Sequence, residues 1–417
     1  MQSQPHATLP PAPLAGSMDR ALQHLAELSG SEAIRSLFGN ELLMERAWLT
    51  GARFSSGRST SGATRLLHSL NGVIAITLAR PDDWALLPAW LEVDDFDLST
   101  DSEQAWQDLA DRVRRRESER LIDQGRTLGL PVAATGAHRE RLTPDFSHLF
   151  ERDPLNSQAI NLRANQRPPR VIDLSALWAG PLCSHLLHLC GAEVIKLESI
   201  RRPDGARAGH SGFYGLLNQG KRSVAVDLGA PDGIRALRTL IESADILIES
   251  SRPRALRQLG IVAEEILETH PALVWISLTG YGRAEPRANW IAFGDDAGVA
   301  AGLADLMQSA TGAHQLAGDA IADPLTGTHA ALAAWQACTA GRGGMIELAL
   351  ADIAAWCLRS TLAQSDEQRL LADCRRWWAA VQDAAPPSGY QGRGIREPVA
   401  ELGADTERVL AKASRPC

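Results

Sequence analysis

From Arg170 onward, short apolar or β-branched runs alternate with helical stretches, and nothing else in the chain constrains its fold as tightly. VIDL (171–174) is followed by LCSHLLHLCG and then EVIKLE (193–198). SVAVDL (223–228) leads into DGIRALRTLIESA and then ILIES (246–250), and AEEILETH leads into LVWISLTG (273–280). Near-continuous apolar strands separated by helices are the pattern of a parallel sheet covered on both faces. Pro181 and the Pro231-Asp232 pair stand where helices should begin. The expected fold is α/β, with an open Rossmann-like parallel sheet over residues 170–417. A helical return over 360–417, interrupted by APPSGYQGRG, closes that domain.

The region before it reads differently. Residues 18–140 hold helical segments, one clear strand, GVIAITLAR (72–80), an acidic stretch, EVDDFDLSTDSE (92–103), and a charged helix, WQDLADRVRRRESERLIDQG. They are expected to form a smaller α+β domain. Residues 141–169, running from LTPDFSHLF to NQRPP, read as a linker. MQSQPHATLPPAPLAGS (1–17) has no charged segment before an apolar core, so it reads as a disordered start and not a signal peptide. At 417 residues and 45% hydrophobic, the chain can build one large or two ordinary cores. A net charge of −8, with basic and acidic residues interspersed, gives no sign of a nucleic-acid partner. No run of 18 uncharged apolar residues points to a membrane span. The cysteines at 183, 190, 338, 357, 374 and 417 form no CxxC and no metal spacing, which fits a reduced, cytoplasmic protein without a metal.

The first strand is followed by SALWAGP and not GxGxxG, which disfavours a nicotinamide dinucleotide. P-loop, GxSxG and HExxH motifs are missing from the sequence. Ligands of α/β sheets bind beyond the strand C-termini, and four loops there carry candidate residues. In ALWAGPLC (176–183), small residues either admit a ligand to the backbone or simply make a tight turn. In ESIRRPDGARAGH (198–210), Arg201, Arg202 and Arg207 are either solvated or phosphate contacts. NQGKRSVAVDL brings Lys221 and Arg222, and ESSRPRALRQLG spans 249–260. GDAIADPLTG (318–327) places Asp323 before Pro324, where the residue should be non-helical and able to cap the helix that follows. The helix dipole would hold a carboxylate there ionised, as a nucleophile also requires, so both readings stand at this point.

Six elements in order resemble the family III CoA-transferases, between about Arg170 and Leu358. They are VIDLSALWAGPLCSHLLHLCGAEVIKLE, NQGKRSVAVDL, ADILIESSRPRALRQLG, LVWISLTGYG, ADPLTG and AGRGGMIELALAD. The resemblance implies that Asp323 is the nucleophile of a covalent CoA transfer. Thr326 and Gly327 match the family's GDxxTG element, while Ala322 replaces its first glycine. The implied reaction moves CoA from an acyl-CoA donor to a carboxylic acid through an aspartyl-CoA thioester. CoA is then a co-substrate, and no cofactor is tightly bound. AGRGG (340–344) and the AGP loop are the candidate oxyanion donors. The resemblance further implies CoA contacts at Leu177, Trp178, Lys221, Ser250 and Leu259, with Arg201 or Arg202 on a phosphate. Ser250 and Ser251 depart from the family's Asn-Phe, and Gln258 and Leu259 from an Arg-Met pair. Racemases of the same fold carry a histidine where this chain has Gly294, with Asp295 matching the acid that follows it. A racemase and a CoA-binding pseudoenzyme are therefore the alternatives. Trp178, Trp290, Trp356, Trp377 and Trp378 either line an apolar pocket or belong to the core. NGVIAITLARPDDWALLPAWLEVDD, RLIDQGRTLGLPVAATG and LGADTERVL resemble the family's small domain and closing element. The implied order is permuted, with the small domain first, in a homodimer that is interlocked in relatives.

Overall fold

The computed structural model describes residues 10–94, 102–136, 144–150, 167–382 and 393–413. Helices α1 (Ala15–Ser29), α2 (Glu32–Arg35) and α3 (Gly39–Thr50) come first. An antiparallel sheet follows, made of β1 (Thr64–His68), β2 (Val73–Thr77) and β3 (Val132–Ala134) in that spatial order. Helices α4 (Pro81–Ala85), α5 (Leu87–Leu91), α6 (Glu103–Val113) and α7 (Ser118–Leu128) cover it. Ile74, Ile76, Trp84, Trp90, Trp106, Leu109 and Leu121 form the small core between them.

A short helix, α8 (Ser147–Phe150), precedes the large sheet. That sheet contains β4 (Arg170–Asp173), β5 (Glu193–Ser199), β6 (Arg222–Val226), β7 (Ile246–Glu249), β8 (Val274–Thr279) and β9 (Gly344–Ala349). Its six strands lie in the order β6-β5-β4-β7-β8-β9, every neighbouring pair parallel. The order reverses between β4 and β7, which opens a crevice beyond their C-terminal ends. Side chains alternate across the sheet as the pleat requires. Val171, Ile246, Ile248 and Ile276 enter one core, and Ile172, Leu247 and Trp275 the other. Helices α9 (Ala179–Leu189) and α10 (Ser211–Asn218) contribute to the first, and α11 (Pro231–Glu242), α12 (Pro253–Gln258) and α13 (Ala263–Thr269) to the second. The α/β class and the parallel sheet are those expected.

Helices α14 (Gly294–Ala300) and α15 (Leu303–Thr311) lead into α16 (Ala322–Thr339), which is followed after β9 by α17 (Leu350–Gln364) and α18 (Glu367–Val381). Nearly every α16 residue from Pro324 to Gln336 is buried. A helix apolar all round needs partners on every side. Contacts reach α16 from α9, α17, β8 and, across the chain, α1. The α1 residues Met18, Ala21, Leu22, Leu25 and Ala26 make the helical stripe that meets this demand.

The helices up to Thr50 therefore belong to the core of the large sheet, although their place in the sequence groups them with the small domain. The packing reaches further toward the N-terminus than the composition suggests: Ala12 and Leu14 are buried, and only residues 1–9 of the expected disordered start lie outside the described residues. Of the expected linker, residues 141–143 and 151–166 also lie outside them. Between those stretches, Phe150 is buried against His329 and Trp356, with ring centroids 4.9 Å from each. Most of the interrupting APPSGYQGRG stretch is outside them too, and beyond it α19 (Thr406–Ala413) docks on the β6 edge. There the backbone N–H of Asp405 donates to Ser223 O at 2.9 Å, and that of Ser223 to Asp405 Oδ2 at 2.9 Å.

If α1 completes the core around α16, Leu25→Ala should destabilise the fold by about 2–5 kcal/mol. Gln23→Ala, on the exposed face of the same helix, should stay within about 0.5 kcal/mol. Urea denaturation of both variants reads the difference, and equal midpoints would refute the packing.

Candidate active site

Asp323 sits in the first turn of α16, one position inside its start at Ala322. The N-cap is Ile321, which makes no side-chain cap, so Asp323 does not cap its own helix. Its carboxylate accepts instead from two other helix starts, the backbone N–H groups of Ala179 on α9 and Gly294 on α14. Three helix N-termini thus converge on one half-buried carboxylate, each carrying the partial positive charge of its unpaired amides.

Gly294 is what allows this approach. A Cβ there would lie 2.3 Å from Asp323 Oδ2 and 2.3 Å from Ala320 O. Gly327, one turn along α16, would likewise put a Cβ 2.5 Å from Ala179 O, so α9 and α16 meet backbone to backbone. The turn into α16 is strained. Ala320 has φ +43°, a left-handed conformation that costs a non-glycine residue about 1–2 kcal/mol. Two aspartates hold it: the Ala320 N–H donates to Asp295 Oδ1 at 2.9 Å, and its carbonyl accepts from the Asp323 N–H at 2.9 Å.

The site concentrates acids. Asp295 and Asp296 lie in the first turn of α14, and Asp319 in the loop three residues before α16. The small domain supplies their hydroxyl partners. Thr64 Oγ1 on β1 donates to Asp295 Oδ2 at 3.2 Å, and Thr77 Oγ1 on β2 to Asp296 Oδ1 at 2.8 Å. Arg46 on α3 makes a two-pronged pair with Asp319, which Thr60 also reaches. Burial pushes the Asp323 carboxyl up to about 7; Asp295 adds to this, while Arg46 and the two amides oppose it. Burial, and then Asp319, raises Asp295 to about 6 against Arg46 and the Ala320 N–H. Burial raises Asp296 to about 7 against the Phe293 N–H and Thr77.

The residues expected around the crevice divide into two groups. Leu177 stands at the mouth, 44% exposed, with φ +68° and its N–H on Asp204 Oδ1 at 3.0 Å. Exposed Ser250 lies beside it, its Oγ accepting from the Ala176 N–H at 3.3 Å. Trp178 is buried, edge-on to Phe213 at 4.9 Å and under the Arg46 guanidinium at 4.5 Å, so it backs the site instead of lining it. Arg201 is exposed and paired with Asp227 at 2.7 Å. Leu259 packs its side chain against the second core of the large sheet.

Lys221 departs most from expectation. It is buried, and its Nζ donates to Pro181 O at 2.9 Å, Ser184 Oγ at 2.7 Å, Asn218 Oδ1 at 3.1 Å and Asp173 Oδ2 at 3.2 Å. Burial lowers it to about 8 despite Asp173. All its donors are spent within the fold, so it is a structural cation under the strand ends. AGRGG is also displaced from the site. It joins α16 to the start of β9, at the opposite end of a helix whose length separates it from Asp323 by roughly 24 Å. Trp377 and Trp178 are core residues, the second of the two readings for the tryptophans.

Arg46, Thr60, Thr64 and Thr77 are additions that the sequence did not suggest. Each lies more than two hundred positions from the acid it meets. Asp319 carried a weak signal in its Gly-Asp step.

The CoA-transferase family III model matches residues 169–381. The succinate–glutarate CoA-transferase of Agrobacterium fabrum is 30% identical over 210 residues, covering 45% of this chain and 52% of that protein. The formyl-CoA:oxalate CoA-transferase of Rhodopseudomonas palustris is 32% identical over 242 residues, covering 54% and 56%. The chain spans about half the length of the curated relatives it matches. A solved CAIB/BAIF family protein from Brucella suis is 27% identical, covers 48% of this chain and 57% of that one, and has a TM-score of 0.44.

Lys221→Met should leave Asp173 underpaired in a buried setting and cost about 3–5 kcal/mol of stability. Guanidinium denaturation measures it. Unchanged stability would return Lys221 to the ligand-binding residues.

Proposed function

The chain belongs to CoA-transferase family III, and on that premise we propose that it moves CoA between an acyl-CoA donor and a carboxylic acid acceptor through an aspartyl-CoA thioester on Asp323. The observation that carries this reading is the Asp323 carboxylate, half-open to solvent and facing two backbone amides. An Asp323 oxygen attacks the donor's thioester carbon, the C–S bond breaks, and CoA thiolate leaves a mixed anhydride. The thiolate then attacks Asp323 Cγ and expels the donor's carboxylate, giving the aspartyl thioester. The acceptor carboxylate runs the two steps in reverse. When Cγ becomes tetrahedral, the amides of Ala179 and Gly294 remain beside the oxygen that gains charge, the preorganised arrangement that favours such a state.

For the CoA grip, the mouth formed by Leu177 and Ser250 is retained, while the buried Lys221 and the paired Arg201 are replaced by other cations. Burial lowers the pKa of Arg252, and the positive charges of Arg254, Arg80 and Arg202 lower it further. Arg202 from the loop after β5, and Arg252 and Arg254 from the segment after β7, are the candidate phosphate contacts, since an anion would relieve the positive charge gathered around Arg252. A homodimer, a cytoplasmic location and a permuted domain order belong to the same proposal. The permuted order is supported by the family match beginning at residue 169, after the three-stranded sheet.

The racemase reading needs a proton-carrying side chain at position 294. The 2.3 Å clearance between a Cβ there and Asp323 Oδ2 argues against one.

Intact-mass spectrometry after acid quench tests the thioester. Incubation with a panel of acyl-CoAs should add the mass of CoA to the parent chain and not to Asp323→Ala, with release by hydroxylamine. Adducts on both proteins would remove Asp323 from the reaction. Solvent deuterium exchange at the acyl α-carbon without any adduct would replace transfer with racemisation.

A further inference from the structure

Arg46 lies outside the segment matched by the family model, yet it is the cation of the site. Helix α3 delivers it from the N-terminal region, 273 positions before its partner Asp319. Its Nε donates to Asp319 Oδ2 at 2.9 Å, and its Nη2 to Asp319 Oδ1, so the guanidinium plane is fixed by a two-pronged pair. Asp319 is fully buried and is held from another side by Thr60 Oγ1. The guanidinium stacks 4.5 Å over Trp178, the residue just before the Ala179 amide that faces Asp323. Asp319 directly precedes Ala320, whose carbonyl takes the Asp323 N–H. Arg46 thus braces the chain on both sides of the Asp323 carboxylate without spending a hydrogen bond on that carboxylate.

We propose that Arg46 is a positioning residue that keeps the Asp323 carboxylate ionised and aimed, with Asp319 as its anchor. The inference rests on Asp323 being the nucleophile. A direct ion pair would tie up the oxygen that must attack, whereas an arginine locked on the neighbouring acid acts through space and leaves that oxygen free. Asp323 is faced by Asp295 from α14, by Arg46 from α3, and by the amides of α9 and α14. Asp295 is in turn faced by Asp319 and Arg46. Three acids around one guanidinium, two of them buried and Asp323 half-buried, repel one another, and Arg46 is the charge that lowers both Asp295 and Asp323. Removing it should raise the pH at which Asp323 ionises, and Asp295→Asn should lower that pH.

The ionisation of Asp323 is read without any substrate by 13C NMR of the aspartate carboxyls, assigned by difference from Asp323→Ala. The parent signal should titrate near pH 7. Arg46→Met should move that midpoint up by about one unit or more, and Asp295→Asn should move it down. Arg46→Lys keeps the charge and loses the fork, so it should leave the midpoint in place while slowing adduct formation at least tenfold. An unmoved midpoint in folded Arg46→Met overturns the proposal. If that variant does not fold, Arg46→Lys decides, and an unchanged adduct rate overturns it. Midpoints that shift as stated in a protein that forms no adduct with any acyl-CoA would uphold the role of Arg46 and discard the transfer reading.

Discussion

The burial of α16 on every side is the constraint from which the rest of the structure follows. Its alanine-rich sequence has no polar face to offer water, so the sheet, α9, α17 and α1 must enclose it. Close packing leaves α16 no room to draw nearer to α9 or to carry a side chain at Gly327, where a Cβ would lie 2.5 Å from the Ala179 carbonyl oxygen. The same contact brings the first turn of α16 against the first turn of α9. Asp323 therefore meets the Ala179 amide because of how the whole helix packs, not because of a local turn motif.

That placement is costly. A carboxylate enclosed beside two others is disfavoured in its charged form, and Asp295, Asp296 and Asp323 are all pushed up toward neutrality. The opposing influences come from several layers: helix-start amides, threonine hydroxyls from the small domain, and one arginine from α3. A second buried cluster lies nearby, under the strand ends. Asp173 is held well below the usual carboxylate range because Lys196 and Lys221 together outweigh its burial. Lys196 reaches Asp204 at 2.9 Å, and Asp204 in turn holds the left-handed backbone of Leu177. The mouth of the crevice is thus shaped by a cluster whose buried charges are paired, and the carboxylate beside it by a cluster that is only partly neutralised.

The small domain has a part in this beyond its own core. Thr64 and Thr77 face each other at 2.9 Å across the antiparallel β1–β2 pair and each reaches one acid of α14. Arg126 from α7 lies 3.9 Å over the ring of Trp290, in the loop that leads to those acids. One chain therefore brings both domains to the same carboxylates.

The sequence by itself determined the parallel sheet, because a strand's apolar run and a helix's start signals are written within a dozen residues. Its ordered motifs also pointed, through the resemblance to CoA-transferase family III, to Asp323, Leu177 and Ser250 as the residues to look for at the strand ends. What only the tertiary structure decided were the partners. Lys221 reads from its motif as a ligand contact, and its burial depends on α9 and α10 closing over it. Helices α1 and α3 stand in the sequence beside the small domain, and α16's need for cover draws them to the large one. Arg46 and the threonines carry no periodic signal, and their acids lie 219 to 273 positions away. Periodicity and turn chemistry are local properties that a short stretch can express. The partner of a buried charge is set by which segments the packed core brings together, and no single segment contains that information.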